Sequence, residues 1–196
     1  MDEQRRRAIR RLVVAAAKAS FKAKDEASGS IAPYSPSPMS MVLGVWERLA
    51  SVMSGGDHIV ELGCGDARWI LHGAQRFGCT AMGVEWDAQV AQRAMEQVAT
   101  SQLQAKVEIR VEDMLAPTFR LPLHTSLVIV YAFAETLNLN VKQLLAQCRP
   151  GTKVISVGFH VHGWAPVWAQ RFSGLNCYYY VLDRDGHAAG IGDSNR

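Results

Sequence analysis

The sequence predicts an α/β fold, a mainly parallel, doubly wound sheet with helices on both faces, for three reasons. Strand-length apolar runs alternate with amphipathic helical patterns from residue 58 to residue 182. The run at 127–133, LVIVYAF, is almost wholly apolar, as a strand buried on both faces has to be. A glycine turn, Gly63-Cys64-Gly65, stands between the first strand and the helix that follows it. With 48% apolar and 20% charged residues among 196, the chain can bury the core of one domain, and wholesale disorder is excluded. No stretch reaches the roughly 18 unbroken apolar residues of a membrane span, which excludes a polytopic membrane protein.

The elements follow in chain order. Residues 1–38 are an extension. Within it Ile9, Leu12, Val13 and Ala16 lie at helical spacing among arginines. The first 24 residues carry 8 Lys/Arg against Asp2 and Glu3, while the remainder is slightly acidic. The pI of about 8.7 therefore belongs to this segment, and no nucleic-acid partner is expected. Three readings stay open for the basic helix: docked on the domain, a mitochondrial-type presequence, or a contact with a membrane surface or polyanion. A secretory signal is excluded, because Lys18, Lys22 and Lys24 interrupt any apolar centre. Residues 25–38, rich in Ser, Gly and Pro, read as a linker or ordered loop.

The domain proper is expected at 39–186. It opens with a helix through Val42, Val45, Trp46, Leu49 and Met53, stopped by Gly55-Gly56. Strands follow at His58–Leu62, Thr80–Glu85, 106–111, 127–133 and 153–159, with helices at 66–77, 88–101 and 141–148 between them. A last strand pair is expected at 167–172 and 178–182, then a frayed tail at 187–196. The four cysteines, Cys64, Cys79, Cys148 and Cys177, form no C-x-x-C pair, which points to reduced thiols in an intracellular protein.

In such a sheet, ligands bind beyond the C-terminal ends of the strands. The first strand ends in VELGCGDAR. Gly63 and Gly65 allow a tight turn whose N–H groups approach a ligand, with Cys64 between them and Asp66 expected to cap the helix. Glu61 is costly at a strand exit unless it meets a partner, and a ligand ammonium would satisfy it. Glu85, twenty positions beyond Gly65 at the end of the second strand, can accept from both hydroxyls of a ribose. Dinucleotides and S-adenosylmethionine both use this arrangement. A dinucleotide turn wants a third glycine where this chain has Arg68, so S-adenosylmethionine is favoured, with S-adenosylhomocysteine as product. After the third strand, Asp113 can accept from an adenine amine and Met114 can pack on the ring, with Trp86 as a second wall.

On these residues the chain resembles the class I, seven-strand S-adenosylmethionine-dependent methyltransferases. The resemblance covers residues 56–182 and implies a Rossmann-like sheet in the order 3-2-1-4-5-7-6 with strand seven antiparallel. A narrower likeness rests on Tyr34, Pro36 and Pro38 in APYSPSP, on Glu61, Gly63, Gly65, Asp66, Arg68 and Glu85, and on Trp164 and Pro166. Here the chain is similar to the small mitochondrial protein-lysine methyltransferases that modify inner-membrane proteins such as the adenine nucleotide translocase and the ATP synthase c subunit. It departs from them at Met39, Ser40 and Met41, where the family has polar residues, and in its short basic N-terminal helix. The likeness implies a protein substrate, with a mitochondrial inner-membrane protein and a peripheral membrane contact in view. It also implies a mitochondrial setting, with the cytoplasm as the alternative.

Methyl transfer is an in-line displacement, and positioning supplies much of its catalysis. A lysine acceptor must first lose its proton. Tyr131 and Glu135, after the fourth strand, face the acceptor in this fold and are expected to orient the amine, with Tyr34 as a lid over the methionine end. The alternative for Glu135 is the first turn of the next helix. No N/D-P-P-Y tetrapeptide is present, which disfavours amino-group methylation of adenine. His160 and His162 share a face without an evident third ligand, so no metal is expected. A small-molecule methyltransferase and a non-enzymatic adaptor of the same fold are the alternatives.

Overall fold

The first described strand starts where Asp57 closes a turn on Ser54, its carboxylate accepting from the Ser54 N–H at 2.7 Å. The computed structural model describes residues 36–188. The expected basic helix, Tyr34 and residues 189–196 lie outside the described residues. In order come α1 (Met39–Arg48), a 3-10 turn (Ala50–Val52), β1 (His58–Leu62), α2 (Arg68–Phe77), β2 (Thr80–Glu85), α3 (Ala88–Thr100), β3 (Val107–Val111) and β4 (Leu127–Val130). Then follow α4 (Ala134–Thr136), a π segment (Leu137–Val141), α5 (Lys142–Leu145), β5 (Lys153–Val157), β6 (Trp168–Phe172) and β7 (Leu175–Val181). No helix among the described residues is long and apolar enough to cross a membrane.

The sheet runs β3-β2-β1-β4-β5-β7-β6. Strands β1 to β5 are parallel, and β7 is antiparallel to both β5 and β6. Because side chains alternate across a strand, each central strand feeds two cores. Ile59, Ala81, Leu127, Ile129 and Ile155 pack on one face with Trp46, Trp69 and Ile70. Val60, Leu62, Met82, Val84, Val128, Val130 and Val154 pack on the other with Leu137, Leu145 and Tyr180. Each large side chain so buried contributes about 1.5–3 kcal/mol. The two-sided burial is why these strands read as continuous apolar runs.

Several element boundaries differ from the sequence expectation. The first helix ends at Arg48 and tightens into the 3-10 turn rather than running on to Met53. The second begins at Arg68, two residues late, because Ala67 takes a left-handed φ of 63°. Strands β4 and β5 stop at Val130 and Val157; the latter is followed by Gly158 at φ 86°, outside extended geometry. The helical run expected from residue 141 already starts at Ala134, through the π segment. β7 begins three residues early. Ser173 (φ 47°) and Gly174 (φ 87°) form the two-residue turn that suits a hairpin, so Leu175 pairs with Phe172 at once.

Candidate active site

The loop between β1 and α2 is held from below. Both the Gly63 and Cys64 N–H groups donate to the Val84 carbonyl at 2.9 Å. Gly63 has φ 72°, and a Cβ there would meet nothing within 4 Å, so the backbone angle demands glycine and the space beside it is open. The Cys64 side chain turns the other way, into the sheet: a Cβ on Gly83 would come within 2.7 Å of its Sγ. Burial pushes its thiol pKa up, with the charges of Glu61 and Glu85 adding. The Cys64 carbonyl accepts from the Ala67 N–H at 2.8 Å. The turn's N–H groups, expected from the sequence to approach a ligand, are instead held within the protein at Gly63, Cys64 and Gly65.

Glu61, the fourth residue of β1, is 5% exposed, and its Oε2 has no hydrogen-bond partner among the described residues. Burial raises its pKa well above the ordinary value; the Ile70 N–H opposes this, Asp66 adds to it, Arg68 opposes it and Glu85 adds to it. Glu85 is also buried, but both its oxygens are engaged: Oε2 accepts from the Gly65 N–H at 3.0 Å and Oε1 from the Asp87 N–H at 3.1 Å. The second strand's acid therefore shapes the first strand's loop. Each oxygen keeps a further lone pair for a ligand hydroxyl.

Trp86 follows, 45% exposed, while Asp87 caps α3 by accepting from Gln89 and Val90 N–H groups at 2.8 and 3.2 Å. Beyond β3, Asp113 is exposed and its Oδ1 accepts from the Leu115 N–H at 2.8 Å. Met114 packs half-buried against the second core. Glu85 and Glu112 are tied by the bond from the Glu112 N–H to the Glu85 carbonyl, 3.1 Å. The structure thus brings Glu61 of β1 and Glu85 of β2 to the loop that holds Gly63, Cys64, Gly65 and Asp66, with Trp86, Asp113 and Met114 at the neighbouring strand exits. Asp66 is not the N-cap of α2, which is Ala67. Its Oδ1 reaches the Arg68 N–H at 3.3 Å, and its carboxylate pairs with the Arg68 guanidinium.

On the other side of β1, the half-buried Tyr131 ring lies over Gly158, where a Cβ would meet its Cε2 at 3.5 Å. The exits of β4 and β5 therefore adjoin. Phe133 is 49% exposed and Phe159 40%. Glu135 stands exposed in the first turn of α4. The loop after β5 hangs from the π segment: Asn138 Oδ1 accepts from the His162 N–H at 2.6 Å, and Lys142 Nζ donates to the His162 carbonyl at 2.5 Å. The His160 and His162 rings lie 4.9 Å apart, and no group of three or more ligating side chains that could hold a metal occurs among the described residues. Trp164 is buried against Tyr180, with ring centroids 5.6 Å apart, and Trp168 stacks on Tyr179.

Sequence reasoning missed Ser37. It is 4% exposed, its hydroxyl accepts from Trp69 Nε1 at 3.0 Å, and its carbonyl accepts from Arg68 Nη1 at 2.6 Å. The only sequence signal was the presence of a Pro-rich segment and a glycine loop in one chain. An orphaned buried carboxylate, open space beside Gly63, an acid with spare lone pairs and an exposed indole suit a ligand with a cationic amine, vicinal hydroxyls and a flat ring.

Comparison with known proteins bears on this arrangement. The model of the ANTKMT methyltransferase domain family matches residues 61–168, more than half of the chain. A protein-lysine N-methyltransferase of Saccharolobus islandicus is 29% identical over 136 residues, which are 68% of this chain and 81% of the relative. The solved structure of an RNA methyltransferase from Salinibacter ruber, in complex with S-adenosyl-L-homocysteine, superposes with a TM-score of 0.68 at 23% identity, covering 76% of this chain and 94% of that one. A SAM-dependent methyltransferase from Thiobacillus denitrificans, in the same kind of complex, gives 0.53 at 16% identity over 68% of this chain and 52% of that one. At these identities the structural likenesses show the fold alone.

Proposed function

The chain belongs to the ANTKMT methyltransferase domain family, and from that premise we propose that it methylates the side-chain amine of a lysine in a protein substrate. It is an S-adenosylmethionine-dependent methyltransferase. When bound, the cofactor's sulfonium supplies an activated methyl group. The chain's own residues bind, orient and keep water out. On this reading Glu61 Oε2 accepts from the cofactor's ammonium, which gives that buried oxygen the partner that it lacks among the described residues. Glu85, fixed by the Gly65 and Asp87 N–H groups, accepts from the ribose hydroxyls. Asp113 accepts from the adenine amine, and Trp86 and Met114 take the two sides of the ring.

The observation that carries the choice of lysine is the aromatic rim where β4 and β5 end: Tyr131, Phe133 and Phe159, with the Glu135 carboxylate in the next turn. Aromatic faces attract a cationic side chain and then surround its apolar stem. Covering of this mouth by a protein substrate would remove water from it, which favours the neutral amine that must attack the methyl group. Tyr131 and Glu135 orient that amine, and Tyr34, outside the described residues, is carried by family likeness alone as a lid over the methionine end. The name of the Saccharolobus relative supports the same acceptor. The test is incubation of the purified protein with methyl-tritiated S-adenosylmethionine and soluble and membrane fractions of its own organism. A labelled, protease-sensitive band whose label maps to lysine is the expected result. Label confined to small solutes would overturn the protein acceptor, and label on another residue type would overturn lysine.

A further inference from the structure

We propose that Arg68 is a positioning residue that carries the state of the cofactor loop to the start of α1. This rests on the cofactor reading above. The Arg68 guanidinium faces two ways. Nε and Nη2 grip the Asp66 carboxylate at 2.9 and 2.5 Å, a bidentate pair within the loop that follows Gly65. Nη1 donates to the Ser37 carbonyl at 2.6 Å, thirty-one residues away in sequence. The next residue, Trp69, donates from its indole to the Ser37 hydroxyl at 3.0 Å, and the Trp69 carbonyl accepts from Trp46 Nε1 at 3.1 Å, which returns the link to α1.

α1 needs such a device. Its N-cap is Pro38, with no side-chain cap among the described residues and no acid in its first turn. The Met41 and Val42 N–H groups donate to the Pro38 carbonyl at 3.0 and 3.1 Å, and a helix start without a side-chain cap opens more easily than a capped one. Here Ser37, held through both its carbonyl and its hydroxyl, fixes the entry instead. A shift of Asp66 when the loop takes its ligand is transmitted by one rigid planar group to Ser37 and so to Met39–Val42. Lysine cannot replace that group, because a single ammonium on a flexible stem cannot hold the carboxylate fork and the carbonyl together.

The test is amide hydrogen exchange of the full chain with and without saturating S-adenosylhomocysteine, beside calorimetric titration of the same ligand. In the wild type, the ligand is expected to slow exchange at least fivefold both in the loop peptide containing residues 63–67 and in the peptide containing residues 39–43. In Arg68→Gln and Arg68→Lys, affinity falls about tenfold, the loop remains protected at saturation, and the protection at 39–43 disappears. A merely structural role would loosen both peptides with or without ligand. Should Arg68→Gln not fold, Asp66→Ala removes the loop end of the link and leaves both bonds to Ser37 in place, and the same loss at 39–43 is expected. Ligand-dependent protection at 39–43 that persists in these variants, or is absent from a wild type that binds, would overturn the inference. A wild type that does not bind S-adenosylhomocysteine would overturn the cofactor reading itself, and this proposal with it.

Discussion

A carboxylate buried inside a strand is a standing cost to the free protein, and Glu61 carries that cost at the centre of the sheet. Its pKa is raised by burial above all. The sign follows: a folded-state pKa above the unfolded value of about 4.3 means that stability is full below that value and is lost as pH rises toward the folded value. Replacing Glu61 with Gln removes the titration. Melts at pH 5 and pH 8 are expected to show the wild type losing at least about 1 kcal/mol relative to E61Q across that interval. The same variant is expected to bind S-adenosylhomocysteine at least tenfold more weakly, a change of about 1.4 kcal/mol, by calorimetry. A variant that is both less stable at pH 8 and equal in affinity would show that the acid serves the fold and not the ligand. Glu61 and Glu85 were legible in the sequence because a charged residue at the exit of an apolar strand is too costly to stand there without a partner. Ser37 was not, since a serine between prolines reads as loop, and only the fold brings Arg68 and Trp69 to it.

At the scale of elements, the bottom of the sheet is fastened by one charge pair. Lys153, the first residue of β5, donates to Asp57 Oδ1 at 2.8 Å, where Asp57 ends the turn before β1; their side chains are 16% and 10% exposed. Burial works to raise the Asp57 pKa, but hydrogen bonds led by the one from Lys153 outweigh it and hold the carboxyl below its ordinary value. The pair's stability is therefore present above the unfolded Asp value of about 3.9 and is lost as pH falls through the depressed folded value. Lys153→Met leaves the buried carboxylate without its counter-charge, held only by hydrogen bonds such as that from the Ser54 N–H, and is expected to cost about 3 kcal/mol at pH 7. Urea unfolding at pH 7 and at pH 3 checks this: the difference between variant and wild type should shrink at the lower pH. A cost independent of pH would assign it to packing alone. Elements showed in the sequence where periodicity was long, as in α3 and the central strands. The first part of the Ala134–Leu145 run, before residue 141, did not, because its π segment breaks the helical spacing. The first residues of β7 were hidden because Asn176 and Cys177 lack the aromatic run of Tyr178–Tyr180.

Over the whole molecule, the order of the sheet was legible because strand–helix alternation leaves few ways to bury both faces, and the resemblance carried by VELGCGDAR selected one of them. What the order accomplishes is the threading of one loop between two cores. Glu61 follows Val60, which packs with one core, while Ile59 before it and Cys64 after it pack with the other. The loop's N–H groups are held by Val84 and Glu85 of the adjacent strand. Releasing the Gly63–Gly65 turn therefore requires parting β1 from β2, which is global unfolding and not local fraying. A ligand of that loop should then stabilise the whole chain by mass action, by about 2.7 kcal/mol at a hundred times its Kd. For a domain of this size that is a rise in Tm of roughly 5–11 °C. Melts over a series of S-adenosylhomocysteine concentrations are expected to show one transition that moves as a unit, with the increment reduced in E61Q at the same concentrations. Two transitions, only the lower of them moving with ligand, would show that the site belongs to a subdomain that opens independently of the two cores.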